Sequence, residues 1–211
     1  MSTTIKNYAT NSNSLLTFTS LVVKGAEGEV TFNAFLTSFN QAFTSQWNTE
    51  TVYGRNDPIG NFQGTQRTLN LGWVIPAGTL NDAKDNLVAV SKLIRMLYPY
   101  YSTNEYKPTA AGQPVVGENA LSLAKPPLMR LKYANLIQSV NSIAGESGLL
   151  GWVGNLSWTP DIEMGMFTDS TDKSLYPKVI NLSVDFTVQH EHQLGSSPGR
   201  NSTASFPFGG E

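Results

Sequence analysis

The sequence predicts a mainly β protein, antiparallel, with one main α-helix and one long loop. Three observations carry that expectation. The stretch VINLSVDFTVQHE (179–191) alternates without a break. It sends Ile180, Leu182, Val184, Phe186 and Val188 to one side and Asn181, Ser183, Asp185, Thr187 and Gln189 to the other. That is the period of a strand with one buried and one wet face. A single segment, TLNDAKDNLVAVSKLIRMLYP (79–99), spaces its apolar residues by three and four, as a helix does. Charged residues make up only 14% of the 211, so Asn, Ser, Thr and Gln must supply the polar surface, which suits strands and turns. Strands and helices do not alternate, so a doubly wound nucleotide-binding fold is not expected.

The elements follow in order. The first 14 residues are polar and unpatterned. LLTFTSLVV (15–23) is rich in strand formers and is closed by the turn signal KGAEGE. VTFNAFLTSFNQAF (30–43) alternates at Val30, Phe32 and Ala34, then places Phe32, Phe35, Leu36, Phe39 and Phe43 at helical steps. A strand is expected there because Thr, Phe and Asn crowd it. RTLNLGWVIP (67–76) is a strand with Leu69, Leu71 and Trp73 on one face. The helix opens on Thr79 with Asp82 three residues on, a capping-box variant, and Pro99 stops it. Its apolar stripe is Leu80, Ala83, Leu87, Val90, Ile94 and Leu97, and Lys92 and Arg95 favour its C-terminal end.

Residues 100–127 carry four Pro and two Gly and read as a long excursion. LMRLKYANLI (128–137) sets Met129, Leu131 and Tyr133 against Arg130 and Lys132. LLGWVGNLSWTPDIE (149–163) is a further strand, with Leu150, Trp152, Leu156 and Trp158 expected on one packed face that Gly154 breaks. The tail from 195 on has no pattern.

Composition narrows function. A net charge of −2 lacks the basic excess of a free-standing nucleic-acid binder. No apolar run is long enough for a membrane helix. The opening MSTTIKNYATNSNS lacks the charged start and apolar run of a signal peptide. With no cysteine, disulfides, thiol catalysis and thiolate metal sites are excluded.

The densest cluster is WNTETVYGRNDPIGNFQGTQRT (47–68), which looks at first like an active site. A phosphate loop fails there: Gly54 and Gly60 are one residue too far apart, and Asn61 stands where Lys is required. A nucleophile elbow fails at GESGL, where Gly148 comes one position early. His190 and His192 share a strand side but lack further metal ligands. Asp161 with Glu163 and Asp169 with Asp172 are carboxylate pairs in turn-rich segments, where acids serve more often as caps than as glycosidase pairs. No enzyme activity, cofactor or metal is therefore expected. The cluster reads as a stiff corner between two strands. Gly54 supplies the torsion, Asp57 is pushed to extended backbone by Pro58, Arg55 lies near Glu50 and Asp57, and Trp47 and Tyr53 pack over the turn.

Five stretches taken together resemble the baseplate and tail-tube initiator proteins of contractile-tailed bacteriophages. They are WNTETVYGRNDPIGNFQGTQRTLNLGWVIPA, LIRMLYPYY, PPLMRLKYANLI, GLLGWVGNLSWTPDIEMGMF and PKVINLSVDFTVQHEHQLG. The resemblance spans residues 30–195, leaving 1–29 as an N-terminal extension and 196–211 as a C-terminal tail. It implies a tail-tube-type β-sandwich or barrel that closes into a ring, hexameric in that family. Its sheets would join between subunits, joining the baseplate hub to the tail tube, and DNA would pass through the lumen without specific binding. Tail-tube protein, hub protein and tape-measure protein are the implied partners, and the virion, assembled in the host cytoplasm, is the implied location. Trp47, Tyr53, Gly54, Arg55, Asp57, Pro58, Pro126, Pro127 and Asp161 stand in the matching motifs, and Tyr106 stands in the long loop. These are the candidate assembly residues. The alternatives are the main tail-tube subunit, or its equivalent in a related contractile injection system, and a carbohydrate-binding β-sandwich resting on the Trp and Asn content.

Overall fold

A computed structural model of the chain describes residues 15–33, 35–101, 123–139, 148–170, 173–191 and 194. It is mainly antiparallel β with a single helix among the described residues. The strands are β1 (Leu16–Ser20), β2 (Glu29–Phe32), β3 (Phe35–Glu50), β4 (Ile59–Pro76), β5 (Tyr100–Tyr101) and β6 (Leu123–Lys125). They continue as β7 (Met129–Tyr133), β8 (Leu149–Pro160), β9 (Met166–Thr168), β10 (Leu175–Pro177) and β11 (Val179–Val188), with helix α1 (Leu80–Met96) after β4. Seven of them form one open sheet in the order β2-β1-β7-β8-β11-β4-β3, and β9–β10 and β5–β6 are separate two-stranded ribbons. Among the described residues the ladder ends at β2 and β3.

Alternation decides which face of the sheet is buried. In β11 the five predicted residues, Ile180 through Val188, are all buried. Register sets Leu182, Val184 and Phe186 opposite Trp73, Leu71 and Leu69 of β4, so one apolar layer runs across both strands. Trp73 is its centre, fully buried, with Phe18 and Phe32 at ring-centroid distances of 5.9 and 5.7 Å. Helix α1 lies over this layer and adds Val90, Leu93 and Met96 to the same core. Each such side chain contributes about 1.5–3 kcal/mol on burial.

The helix starts as its sequence dictates. Thr79 accepts from the Asp82 N–H at 3.2 Å, and the Asp82 carboxylate accepts from the Thr79 N–H at 2.9 Å. The buried stripe is Ala83, Val90, Leu93 and Met96, with Ile94 and Leu97 only partly covered. The buried stripe thus runs through Leu93 and Met96 rather than through Ile94 and Leu97. Lys84 reaches the buried carboxylate of Asp169 just after β9.

Four expectations change. The expected strand 30–43 divides into β2 and β3, separated by Asn33 and residue 34. β1, within the stretch read as an N-terminal extension, lies inside the sheet between β2 and β7. β7 ends at Tyr133; Ala134 takes a positive φ of 44° and the chain turns back to bridge Tyr133 with Ile137.

The fourth concerns the tryptophans of β8. A register shift against Asp185 and Phe186 puts one extra residue into β8. Trp158 pairs with Leu182 on the apolar face, whereas Trp152 pairs with Thr187 on the polar one. A bulge reverses alternation beyond it, so the two do not share a face, and both are 42% exposed rather than packed in the core. Gly151 sits beside this irregularity, and a Cβ there would meet the Thr187 carbonyl oxygen at 2.1 Å.

Candidate assembly surface

β4 is longer than its neighbour. β11 pairs with it only from Pro76 to Arg67, whereas β3 follows it from Val74 to Ile59. Beyond Arg67 the β3–β4 hairpin is therefore a two-stranded ribbon extending past the core, with every residue from Phe43 to Glu50 exposed. Such a ribbon is marginal by itself, so its internal contacts matter. Trp47 meets Phe62 at 5.1 Å between centroids, and the Ser45 and Thr65 hydroxyls are 3.4 Å apart. At the root, the fully buried Arg67 guanidinium lies 5.5 Å from the Phe43 ring centroid. With the Gln41 amide turned to satisfy it, Gln41 Oε1 accepts from Arg67 Nε and Nη2 at 2.5 and 2.6 Å. Burial pushes the Arg67 pKa down to about 10. Partial burial, and then the Arg67 charge, hold His190 below 6.5.

Residues 51–58 make the hairpin tip. Gly54 takes φ +85°, a left-handed conformation that a side chain resists, and the Arg55 N–H donates to the Val52 carbonyl at 3.2 Å. The corner between two strands is present, but two of its expected contacts are not. Tyr53 is fully exposed, and Trp47 packs on Phe62 rather than over the turn. Arg55 is exposed and forms no ion pair with Glu50 or Asp57. Asp57 and Pro58 are exposed as well. The tip holds its shape through a backbone hydrogen bond and the Gly54 torsion, and its side chains are exposed.

The two faces of the hairpin differ. One continues the core face outward as an aromatic stripe of Phe39, Phe43, Trp47 and Phe62, between 36% and 60% exposed. The other continues the wet face, and register organises it into rows. Asn40, Asn70, Asp185 and Asn155 line up across β3, β4, β11 and β8. Ser38, Gly72, Ser183 and Ser157 form the next row. Toward the tip, Thr44 opposes Gln66. Asp185 is the single charge in these rows, and it accepts from the Asn70 side-chain amide. Past β8 the same face carries charges of both signs, with Lys132 and Arg130 on β7 and Glu29 on β2. Arg130 is held by Glu191 through two bonds of 2.7 and 2.8 Å.

The remaining candidate residues lie elsewhere. Pro126 and Pro127 lead into β7, and the Leu128 N–H returns to the Pro126 carbonyl at 2.9 Å. The Asp161 carboxylate accepts from the Glu163 and Met164 N–H groups at 3.1 and 3.4 Å, so it shapes the turn after β8. Tyr106 lies outside the described residues, as do Asp172, His192 and the centre of the long loop, whose stems pair as β5 and β6. Among the described residues no three His, Asp or Glu come together as metal ligands, and no helix is long and apolar enough to cross a membrane. Sequence reading missed the Gln41–Arg67–Phe43 root. The signal was present as Phe39, Phe43 and Trp47 at every fourth residue, a spacing shared by a helix face and an alternating strand.

No family model matches the chain, and no curated protein matches it. Among solved structures it is similar to the SPP1 Dit protein (gp 19.1), described as a paradigm of the hub adsorption apparatus in phages infecting Gram-positive hosts. Identity is 8% and the TM-score 0.38, over 82% of this chain and 49% of that protein, so the chain spans about half its length. At that score the likeness carries no argument about function.

Proposed function

We propose that the chain is a structural subunit of a bacteriophage tail, and that copies of it close into a ring, six in number. The ring joins the baseplate hub to the tail tube and lines the channel through which DNA leaves. Tail-tube, hub and tape-measure proteins are its neighbours in the virion, and it performs no catalysis. One observation carries this reading. The β3–β4 hairpin extends beyond its own core with a 16-residue edge strand that is unpaired among the described residues, and with an exposed aromatic stripe. A long free edge is a hazard to a monomer, and pairing with the next subunit removes it. Contacts between two different surfaces, repeated around an axis, close a ring. The order of the five sequence stretches supplies the phage-tail context.

The same geometry serves a main tube subunit, and solution behaviour separates the two. Light scattering with negative-stain imaging of the purified chain is expected to show single or paired rings. Long tubes grown from the chain alone would favour the main tube subunit. A monomer that shifts only with added oligosaccharide would overturn both. Trp152 and Trp158, on opposite faces of the sheet, do not form one stacking platform for a sugar.

A further inference from the structure

We infer that a cleft on the polar face of β2, β1 and β7 is the docking site for the segment SFPFGGE (205–211) of the same chain, which sets its aromatic rings on the apolar wall and its carboxylate on the lysines. The cleft has a volume of about 450 Å³. Thr17 and Thr19 of β1 line its floor, and Lys132 of β7 stands opposite Thr17 in register. One wall is the segment after β1, where Leu21 and Val23 are exposed. The Ser20 hydroxyl accepts from the Val22 and Val23 N–H groups, each at 3.2 Å, which fixes that wall. Charge in the cleft is incompletely matched. Arg130 is taken up by Glu191. Lys24, Lys132 and Glu29 form no ion pair among the described residues, and Lys132 is half-buried. A half-buried ammonium beside hydroxyls is stabilised by an anion, and the exposed Leu21 and Val23 are stabilised by apolar cover.

The chain itself brings both. The two Arg130–Glu191 bonds hold the end of the β11 segment at the rim of the cleft, which Arg130 lines. Residues 195–211, outside the described residues, follow directly. Their large apolar side chains are Phe206 and Phe208, their single acid is Glu211, and their single cation, Arg200, matches Glu29. The twelve residues from 194 to 206 span up to about 40 Å when extended, so the linker does not limit where the segment lands. The inference does not depend on the ring.

The test uses the absence of cysteine from the chain. Val23→Cys with Gly209→Cys places one thiol on the cleft wall and one beside the docking segment. Val88→Cys with Gly209→Cys is the control, because Val88 is 63% exposed on α1, across the sheet from the cleft. Each full-length chain is oxidised with diamide at high dilution, and the disulfide within one chain is followed by gel mobility. The cleft pair is expected to close at least about tenfold faster than the control, since docking raises the local concentration above that set by the linker. Adding Lys24→Gln and Lys132→Gln to the cleft pair should abolish that advantage. Equal rates for the cleft pair and the control overturn the inference. Disulfides that join two chains and not one also overturn it, because the cleft then belongs to a neighbouring copy. A second readout needs no thiol. Chymotrypsin cleavage after Phe208 should be several-fold faster in Lys24→Gln/Lys132→Gln than in the parent chain, and equal cleavage overturns the inference.

Discussion

Trp47 and Phe62 face each other across the β3–β4 hairpin with ring centroids 5.1 Å apart and planes at 60°, yet they remain 60% and 51% exposed. An aromatic cross-strand pair is worth about 1 kcal/mol or less in a sheet. Trp47→Ser with Phe62→Ser should therefore leave the subunit folded, its melting midpoint little changed. Ring formation by light scattering should be lost if, as proposed, the stripe is the surface a second copy covers. Normal rings from this double variant would remove the stripe from the interface.

The hairpin tip separates backbone from side chain. Gly54→Ala forces an L-residue to φ +85° and should destabilise by about 1–2 kcal/mol. Arg55→Ala removes no side-chain hydrogen bond or ion pair among the described residues, so its melting midpoint should match the parent while rings weaken. A lowered midpoint for Arg55→Ala would place its partner inside the subunit.

Trp73 is the largest fully buried side chain, and its indole N–H has no partner among the described residues. Trp73→Ala should cost about 3–5 kcal/mol by cavity formation, read from denaturant midpoints at constant slope. A loss below that range would mean that Phe18 and Phe32 collapse into the space.

The Arg130–Glu191 pair joins β7 to the end of the β11 segment across 61 residues of sequence. Arg130 is 12% exposed at its side chain, which places the pair between surface and interior. A double-mutant cycle with Arg130→Met and Glu191→Gln should give a coupling of about 1 kcal/mol or more. A coupling near zero would reduce the pair to a solvated contact.

His190 is held below 6.5 by partial burial and then by the charge of Arg67. The unfolded chain therefore takes up a proton more readily than the folded one. The stability contributed by neutral His190 is complete above pH 6.5 and is lost as pH falls through the lower folded value. His190→Gln should flatten the decline of the urea midpoint between neutral and mildly acidic pH. An unchanged decline would assign it to other groups.

The sequence by itself determined the class, the helix with its Thr79–Asp82 cap, and the buried face of β11, because each is written in local periodicity. It also determined that residues 51–58 turn between strands, since Gly54 and Pro58 act on their own backbone. It misjudged Trp152 and Trp158, because a bulge is fixed by the partner strand and leaves only Gly154 as a trace. Only the tertiary structure decided that β1 lies inside the sheet, that β4 outruns β11 at Arg67, and that Asn40, Asn70, Asp185 and Asn155 form one row. Those facts depend on which strands pair and in what register. Register is settled by burying every apolar residue of one face at once, and no single stretch of sequence contains that sum.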